Sequence, residues 1–396
     1  MSRGGGAGGP SGSPGGSGGG GRGGRSGNGR GPGGGGRGEA VGRGALRESA
    51  LHGIPSGARG GTGGPRFELQ ASPHIKGPDS TPRIMWTVVA SLVPVVGAAV
   101  WYFGPSALLV LAASTLGCVL TERLLAPRDS LRDGSAAITG ILLGLILPAG
   151  IPLWMAFLGG GFGIAFGKLI FGGLGQNIFN PALLGRAFLQ AAFPEPMTTW
   201  PVAGGPWLAL RGDNFALPLM APDPVATTRG ATPLGLMKFE GVETALGPLM
   251  MGATSGSTGE TAGLLILICG GFLALKGYLD WRIPAAILLT VFLLSQGIHE
   301  LAPERYPDGL FMLFSGGLMI GAVYMATDMV TSPTTPRGAW IYGVGIGVLV
   351  VLIRVWGGLP EGVMYAILFM NALVPFINRA TQPRVFGTGR AAEAPS

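Results

Sequence analysis

Ile138-Thr139-Gly140-Ile141-Leu142-Leu143-Gly144-Leu145-Ile146-Leu147-Pro148 is apolar on every side and stops at a proline, with Pro152 four residues further on. A helix rises about 1.5 Å per residue and a hydrocarbon core is roughly 30 Å thick, so about 20 apolar residues make a crossing. This run is short for a crossing and has no polar face to offer water. It reads as a helix broken inside a bundle of membrane helices, where irregular backbone survives only if protein or a cavity surrounds it.

Working outward, the apolar stretches are 84–103, 106–121, 135–149, 151–170, 180–194, 261–278, 283–299, 309–326, 339–357 and 361–378. The expectation is therefore an all-α integral membrane protein of about ten transmembrane helices. Composition agrees: 47% of residues are hydrophobic and 12% charged, about half the charged fraction of soluble domains. The net charge of +7 does not signal a nucleic-acid partner. Residues 1–83 hold 11 Lys/Arg against 4 Asp/Glu, and the remaining 313 residues carry 16 of each sign. Residues 1–38 contain 22 glycines, and no aromatic side chain precedes Phe67 to stack on a base. A disordered Gly/Arg-rich tail is expected, brushing anionic lipid or nothing. Cys118 and Cys269 lie in separate apolar runs, which excludes a disulfide framework and a thiolate metal site of several ligands within this chain. They read as small buried side chains or as contributors to a cluster shared with a neighbouring protein. His52, His74 and His299 do not cluster, so no haem or metal site follows.

Basic residues in short loops set the expected orientation. With the Arg-rich amino terminus inside, Arg123, Arg128, Arg132, Lys168, Lys276, Arg282, Arg337, Arg379, Arg384 and Arg390 all fall on the same side. The segment 195–260 then lies outside, with three bases, Arg211, Arg229 and Lys238, among its residues. Five divisions are expected: a tail over 1–80, a first membrane half over 81–194, an extracytoplasmic loop over 195–260, a second half over 261–380, and a cytoplasmic tail over 381–396. The halves echo each other. Pro148, an apolar span and Asn180-Pro181-Ala182-Leu183 are answered by Pro333 and Pro336, an apolar span and Asn371-Ala372-Leu373. Five helices per half implies two inverted repeats, a design in which half-helix ends meet near the midplane.

Functional residues concentrate on long loops carried by rigid scaffolds, which directs attention to Gly230-Ala231-Thr232. A threonine hydroxyl can be esterified by the phosphate of flavin mononucleotide, and small neighbours allow close approach; the alternative is an ordinary turn. Among ionisable groups near the spans, Lys168 and Arg354 are expected to snorkel. Arg186, two turns into the Asn180 helix, pairs with an acid, holds a flavin or its phosphate, or snorkels. Glu122 and Asp328 either relay a cation or flank helix ends.

Several strings occur in order across residues 72–387: Ser72-Pro73-His74-Ile75, Gly172-Gly173-Leu174-Gly175-Gln176-Asn177-Ile178-Phe179-Asn180-Pro181-Ala182, Gly256-Ser257-Thr258-Gly259-Glu260-Thr261, Ala326-Thr327-Asp328-Met329-Val330-Thr331-Ser332-Pro333 and Gln382-Pro383-Arg384-Val385-Phe386-Gly387. Together they resemble RnfD, a membrane protein of the Rnf electron-transport complex, in a superfamily shared with NqrB of the sodium-pumping NADH:quinone reductase. The resemblance implies an inner-membrane component, inactive alone, of a complex that moves electrons between ferredoxin and NAD and translocates Na+ or H+. It implies covalent FMN at Thr232, installed by a flavin transferase outside the membrane, and a second, non-covalent riboflavin. Asn180 and Arg186 join Thr232 as cofactor-binding candidates, with Glu122 and Asp328 as the possible ion path. The implied partners are the RnfA, RnfB, RnfC, RnfE and RnfG proteins and membrane lipid. The family's attachment pattern places a hydroxyl residue three positions before the modified threonine and Asp six before it; here those positions hold Arg229 and Ala226, with Thr228 and Asp223 nearby. Thr254, in a second Gly-Ala-Thr, is the fallback. The alternatives are the NqrB-like component of a quinone reductase, a secondary transporter without flavin, and a scaffold without cofactor.

Overall fold

The computed structural model describes residues 79–218, 229–260 and 262–383. The Gly/Arg-rich tail, the end of the carboxy-terminal segment, and Asp223, Ala226 and Thr228 lie outside the described residues. Among the described residues, five helices are long and apolar enough to cross a membrane: α1 (Thr81–Phe103), α2 (Pro105–Leu125), α10 (Arg282–Leu301), α13 (Pro336–Trp356) and α14 (Val363–Thr381). The shorter apolar helices among the described residues are α3 (Ser135–Ile146), α4 (Leu153–Ile164, continued as a π-turn over Ala165–Leu169) and α9 (Gly263–Leu275), while α5 (Pro181–Ala192) is a short amphipathic helix. Helix starts follow local chemistry. Proline opens α2, α5 and α13, where its missing N–H costs nothing. Asn180 Oδ1 accepts from the Ala182 and Leu183 amides, and Thr335 Oγ1 from the Gly338 amide.

The stretch 309–326, expected as one span, is broken. It comprises α11 (Gly309–Phe314), the irregular Ser315-Gly316-Gly317, α12 (Leu318–Ile320) and a π-turn over Gly321–Met325. Gly316 has φ +67°, a left-handed conformation that side chains with a Cβ resist. Elsewhere α2 packs on α3 and α4, α4 on α5, α10 on α11 and α13, and α13 on α14. α1 meets α9, and α5 meets α14, joining early and late helices. The outward faces carry Leu116, Leu124, Ile268, Leu293 and Phe376, all exposed. Apolar side chains facing out along long apolar helices belong against lipid.

Beyond α5 come α6 (Pro194–Thr198) and β1 (Trp200–Pro201). β2 (Arg229–Gly230) pairs antiparallel with β1, Trp200 opposite Gly230, and leads into α7 (Pro233–Gly235), a π-turn over Leu236–Glu240 and α8 (Leu246–Met251). This connecting region covers the Gly104 end of α2. Arg211 N–H donates to Ser106 Oγ at 2.7 Å, and Gly204 N–H to the Tyr102 carbonyl at 3.1 Å. Glu122 marks the other end, 18 residues along the helix from Gly104, roughly 27 Å at 1.5 Å per residue.

Candidate functional site

Thr232 is held by its own short helix and by one lysine. Its hydroxyl oxygen caps α7, accepting from the Gly235 amide at 3.1 Å, and the side chain is half-buried. Further along the same run, the Lys238 ammonium donates to the carbonyls of Arg354 (2.9 Å), Gly357 (2.6 Å) and Leu359 (3.0 Å), with Ile353 at 3.4 Å. Most of these oxygens are ones that α13 leaves free at its carboxy end, where a cation also meets the negative end of the helix dipole. Leu234 packs beside Gly316, and Gly230 lies so close to Ser255 that a Cβ there would collide with its hydroxyl. The two Gly-Ala-Thr segments are thus adjacent, with the first in a fixed frame.

Beneath this loop, the chain breaks gather charged groups. Ser257-Thr258-Gly259-Glu260 runs across the end of α3. Thr258 Oγ1 lies within hydrogen-bonding distance of the carbonyls of Gly144 (2.6 Å) and Leu145 (3.0 Å), and the Gly259 amide donates to Leu145 at 2.7 Å. The broken helix therefore ends inside protein with its carbonyls satisfied. Glu260 is buried, with Oε2 accepting from the Ser257 amide at 3.1 Å. Facing it, Glu361 accepts from Arg186 Nη2 at 2.9 Å and from the Gly317 amide at 2.5 Å. Arg354, also buried, donates to the Met312 (2.5 Å) and Ser315 (2.8 Å) carbonyls at the end of α11. Burial, then the facing Glu361 carboxylate, raises the pKa of Glu260. Burial alone would raise Glu361 too, but Arg186, the Glu260 hydrogen bond, the Gly317 amide and Arg354 together leave it lowered. A cavity of about 70 Å3 opens beside the cluster, lined by Arg186, Glu361, Gly317, Trp200 and Tyr365 among others.

A second polar cluster lies at the far end of α2. Lys168, 2% exposed, donates to Glu122 Oε1 at 2.7 Å and to Ser135 Oγ at 2.5 Å, with Asp133 at 3.7 Å. An apolar cavity of about 90 Å3 adjoins it, with Lys168, Asn180, Tyr324 and Asp328 on its walls. Asn180 Nδ2 donates to the Met325 carbonyl at 3.3 Å, joining α5 to the π-turn after α12. Asp328 accepts from the Val330 amide and from the Thr331 hydroxyl.

Residues 68–387, which take in the whole bundle and both clusters, match the NQR2, RnfD, RnfE family. The chain belongs to that family. A relative from Clostridium ljungdahlii, the D subunit of a proton-translocating ferredoxin:NAD(+) oxidoreductase complex, is 40% identical over 338 residues, covering 82% of this chain and 97% of the relative. The D subunit of an ion-translocating oxidoreductase complex from Stutzerimonas stutzeri is 40% identical over 78% of this chain and 92% of its own length. The D subunit of a Na(+)-translocating ferredoxin:NAD(+) oxidoreductase complex from Acetobacterium woodii is 39% identical over 81% of this chain and 95% of the relative.

Within this family member the candidate residues separate into two groups. Arg186 stands at the Thr232 end and pairs with an acid, one of the roles open to it. Glu122, Asn180 and Asp328 belong to the other end. Glu122 reaches the second cavity only through Lys168, and Asp328 lies on its wall. The expectation that Lys168 and Arg354 snorkel is corrected. Both are buried, 2% and 4% exposed, because each finds inside the protein the acceptors that a lone cation would seek in water. Lys238, Glu260 and Glu361 escape a reading of the sequence as a group. The one signal for the two acids is position: Glu260 closes Gly-Ser-Thr-Gly, and Glu361 follows Gly357-Gly358 at the start of the 361–378 stretch, so each sits at the edge of a span, beside a break.

Proposed function

We propose that this chain is the RnfD component of an Rnf-type complex, coupling electron flow between ferredoxin and NAD to translocation of Na+ or H+, with FMN esterified to Thr232. The observation that carries the reading is the Thr232 hydroxyl itself, half-exposed at the amino end of a helical run and held against α13 by Lys238. Pro233 carries no N–H and the Leu236 amide already bonds the Thr232 carbonyl, so a phosphoester on that oxygen would be met by the Gly235 amide that caps it. FMN, when bound there, supplies the electron carrier. The chain's own residues do the holding. Lys238 fixes the loop, Gly230 lets it lie against Ser255, and Leu234 seats it on the Gly316-Gly317 break. Relatives named as D subunits of ferredoxin:NAD(+) oxidoreductases support this activity over quinone reduction.

The finer architecture belongs to the same proposal: ten helices in two inverted repeats, an inner-membrane location, the 195–260 region outside, and a riboflavin among the helices. Glu122 and Asp328 remain the proposed ion path, and the other Rnf proteins and a flavin transferase the proposed partners. The test is flavin fluorescence of the denatured protein in a gel. Fluorescence lost in Thr232→Ala and kept in Thr254→Ala supports the reading. Loss only in Thr254→Ala moves the anchor to the second motif. A chain that never fluoresces when purified with its complex favours a transporter or a scaffold.

A further inference from the structure

Glu260 is 8% exposed, and its Oε1 has no hydrogen-bond donor among the described residues. That oxygen points at another acceptor. A Cβ on Gly317 would stand 3.0 Å from Glu260 Oε1 and 2.8 Å from Glu361 Oε1, so the two carboxylate oxygens converge on one point. Both carboxylates thus face the same stretch of backbone at the Gly316-Gly317 break. Two ionised oxygens in that position would repel with nothing between them, and leaving a buried acceptor unsatisfied is costly.

We propose that Glu260 and Glu361 bind one proton between them, Glu260 as the acid and Glu361 as the carboxylate. The surroundings choose these roles. Arg186 from α5 and the Gly317 amide both donate to Glu361, which keeps it charged. Among the described residues Glu260 receives only the Ser257 amide, on its other oxygen. Arg354 from α13 faces the pair but directs its donors to the Met312 and Ser315 carbonyls, and Lys238 is turned to the end of α13. A metal cation fits this point poorly, because hard cations take a shell of several oxygen ligands and the Gly317 N–H already points at Glu361 Oε1. With one proton bound, two guanidiniums face one negative charge. Releasing that proton to solvent lowers the local charge by one unit under the Thr232 loop.

This site does not depend on a flavin at Thr232. Burial and the facing charge raise Glu260, so the folded protein binds this proton more tightly than the unfolded chain. Its stabilising effect is complete below the ordinary carboxylate range and lost as pH rises through the raised value. The test is infrared spectroscopy of the full chain in its complex, with glutamate carrying a 13C label. The expected result is a protonated-carboxyl C=O band at neutral pH that shifts with the label and titrates away in base. It disappears in Glu260→Gln, survives Glu243→Gln on the same connecting region, and is retained in Thr232→Ala. Should Glu260→Gln fail to assemble, the base titration of the labelled wild-type band decides. Absence of the band from wild type at neutral pH, or its survival in Glu260→Gln, overturns the proposal. Loss of the band on replacing choline by Na+ at fixed pH also overturns it, in favour of a metal cation.

Discussion

Lys238 offers three protons to four carbonyl oxygens at the end of α13, and through them fastens the Thr232 helix to the bundle. Lys238→Met keeps the aliphatic stem and removes these charge-assisted bonds. Hydrogen bonds to charged groups contribute about 1.5–3 kcal/mol; with Lys238 partly exposed, a loss of about 2 kcal/mol is expected, seen as a lower Tm and faster proteolysis near residue 238. An unchanged cleavage pattern would show that the loop is held by Leu234 and Gly230 alone. Gly316→Ala should cost at least as much. Its φ of +67° disfavours a Cβ, and that Cβ would meet Leu234 Cδ1 at 2.7 Å and Arg354 Nη2 at 3.1 Å. Circular dichroism with a thermal melt checks the size of the effect.

Among the elements, the broken helices carry the design. α3 ends at Ile146, with Pro148 close behind, so its last carbonyls need donors from elsewhere. Donors come from 111–114 residues away in the chain: the Thr258 hydroxyl, nearest the Gly144 carbonyl, the Thr258 amide to Leu147 and the Gly259 amide to Leu145. Thr258→Val preserves shape and removes the one hydroxyl donor at the Gly144 carbonyl, so a loss of about 1–3 kcal/mol is expected, measured against Thr254→Val, which removes a half-buried hydroxyl. Equal losses in the two variants would mean that the α3 carbonyls are satisfied without Thr258. The break at Pro148 is legible in the sequence because proline ends a helix by its own covalent structure. The break at Ser315-Gly316-Gly317 is not, because its neighbours are apolar and hydropathy averaged over a span hides two glycines. The π-turns over 165–169 and 321–325 leave no mark in hydropathy at all.

Across the whole molecule, polar ties join the helices before residue 195 to the chain that follows it. Tyr324 OH reaches Ser91, Asn180 reaches the Met325 carbonyl, Thr258 reaches α3, and Arg186 pairs with Glu361 across 175 residues of chain. Residue type makes Arg186 and Thr232 visible in the sequence. It hides the partnership, since nothing local tells which distant acid an intramembrane arginine meets, and the acceptors that bury Lys168 and Arg354 are hidden for the same reason. The Arg186–Glu361 tie can be weighed directly. Arg186 is 8% and Glu361 20% exposed, so Arg186→Met strands a carboxylate already facing Glu260, and breaking a buried pair in this way typically costs about 3–5 kcal/mol. Glu361→Gln alone leaves a guanidinium without its counter-charge. Combining them removes both unpaired charges, so the double variant should be more stable than the sum of the single losses implies, with a coupling of about 1–3 kcal/mol. Strictly additive losses would show that the ion pair does not bind the two sets of helices together, and that α5 and α14 are held by apolar packing alone.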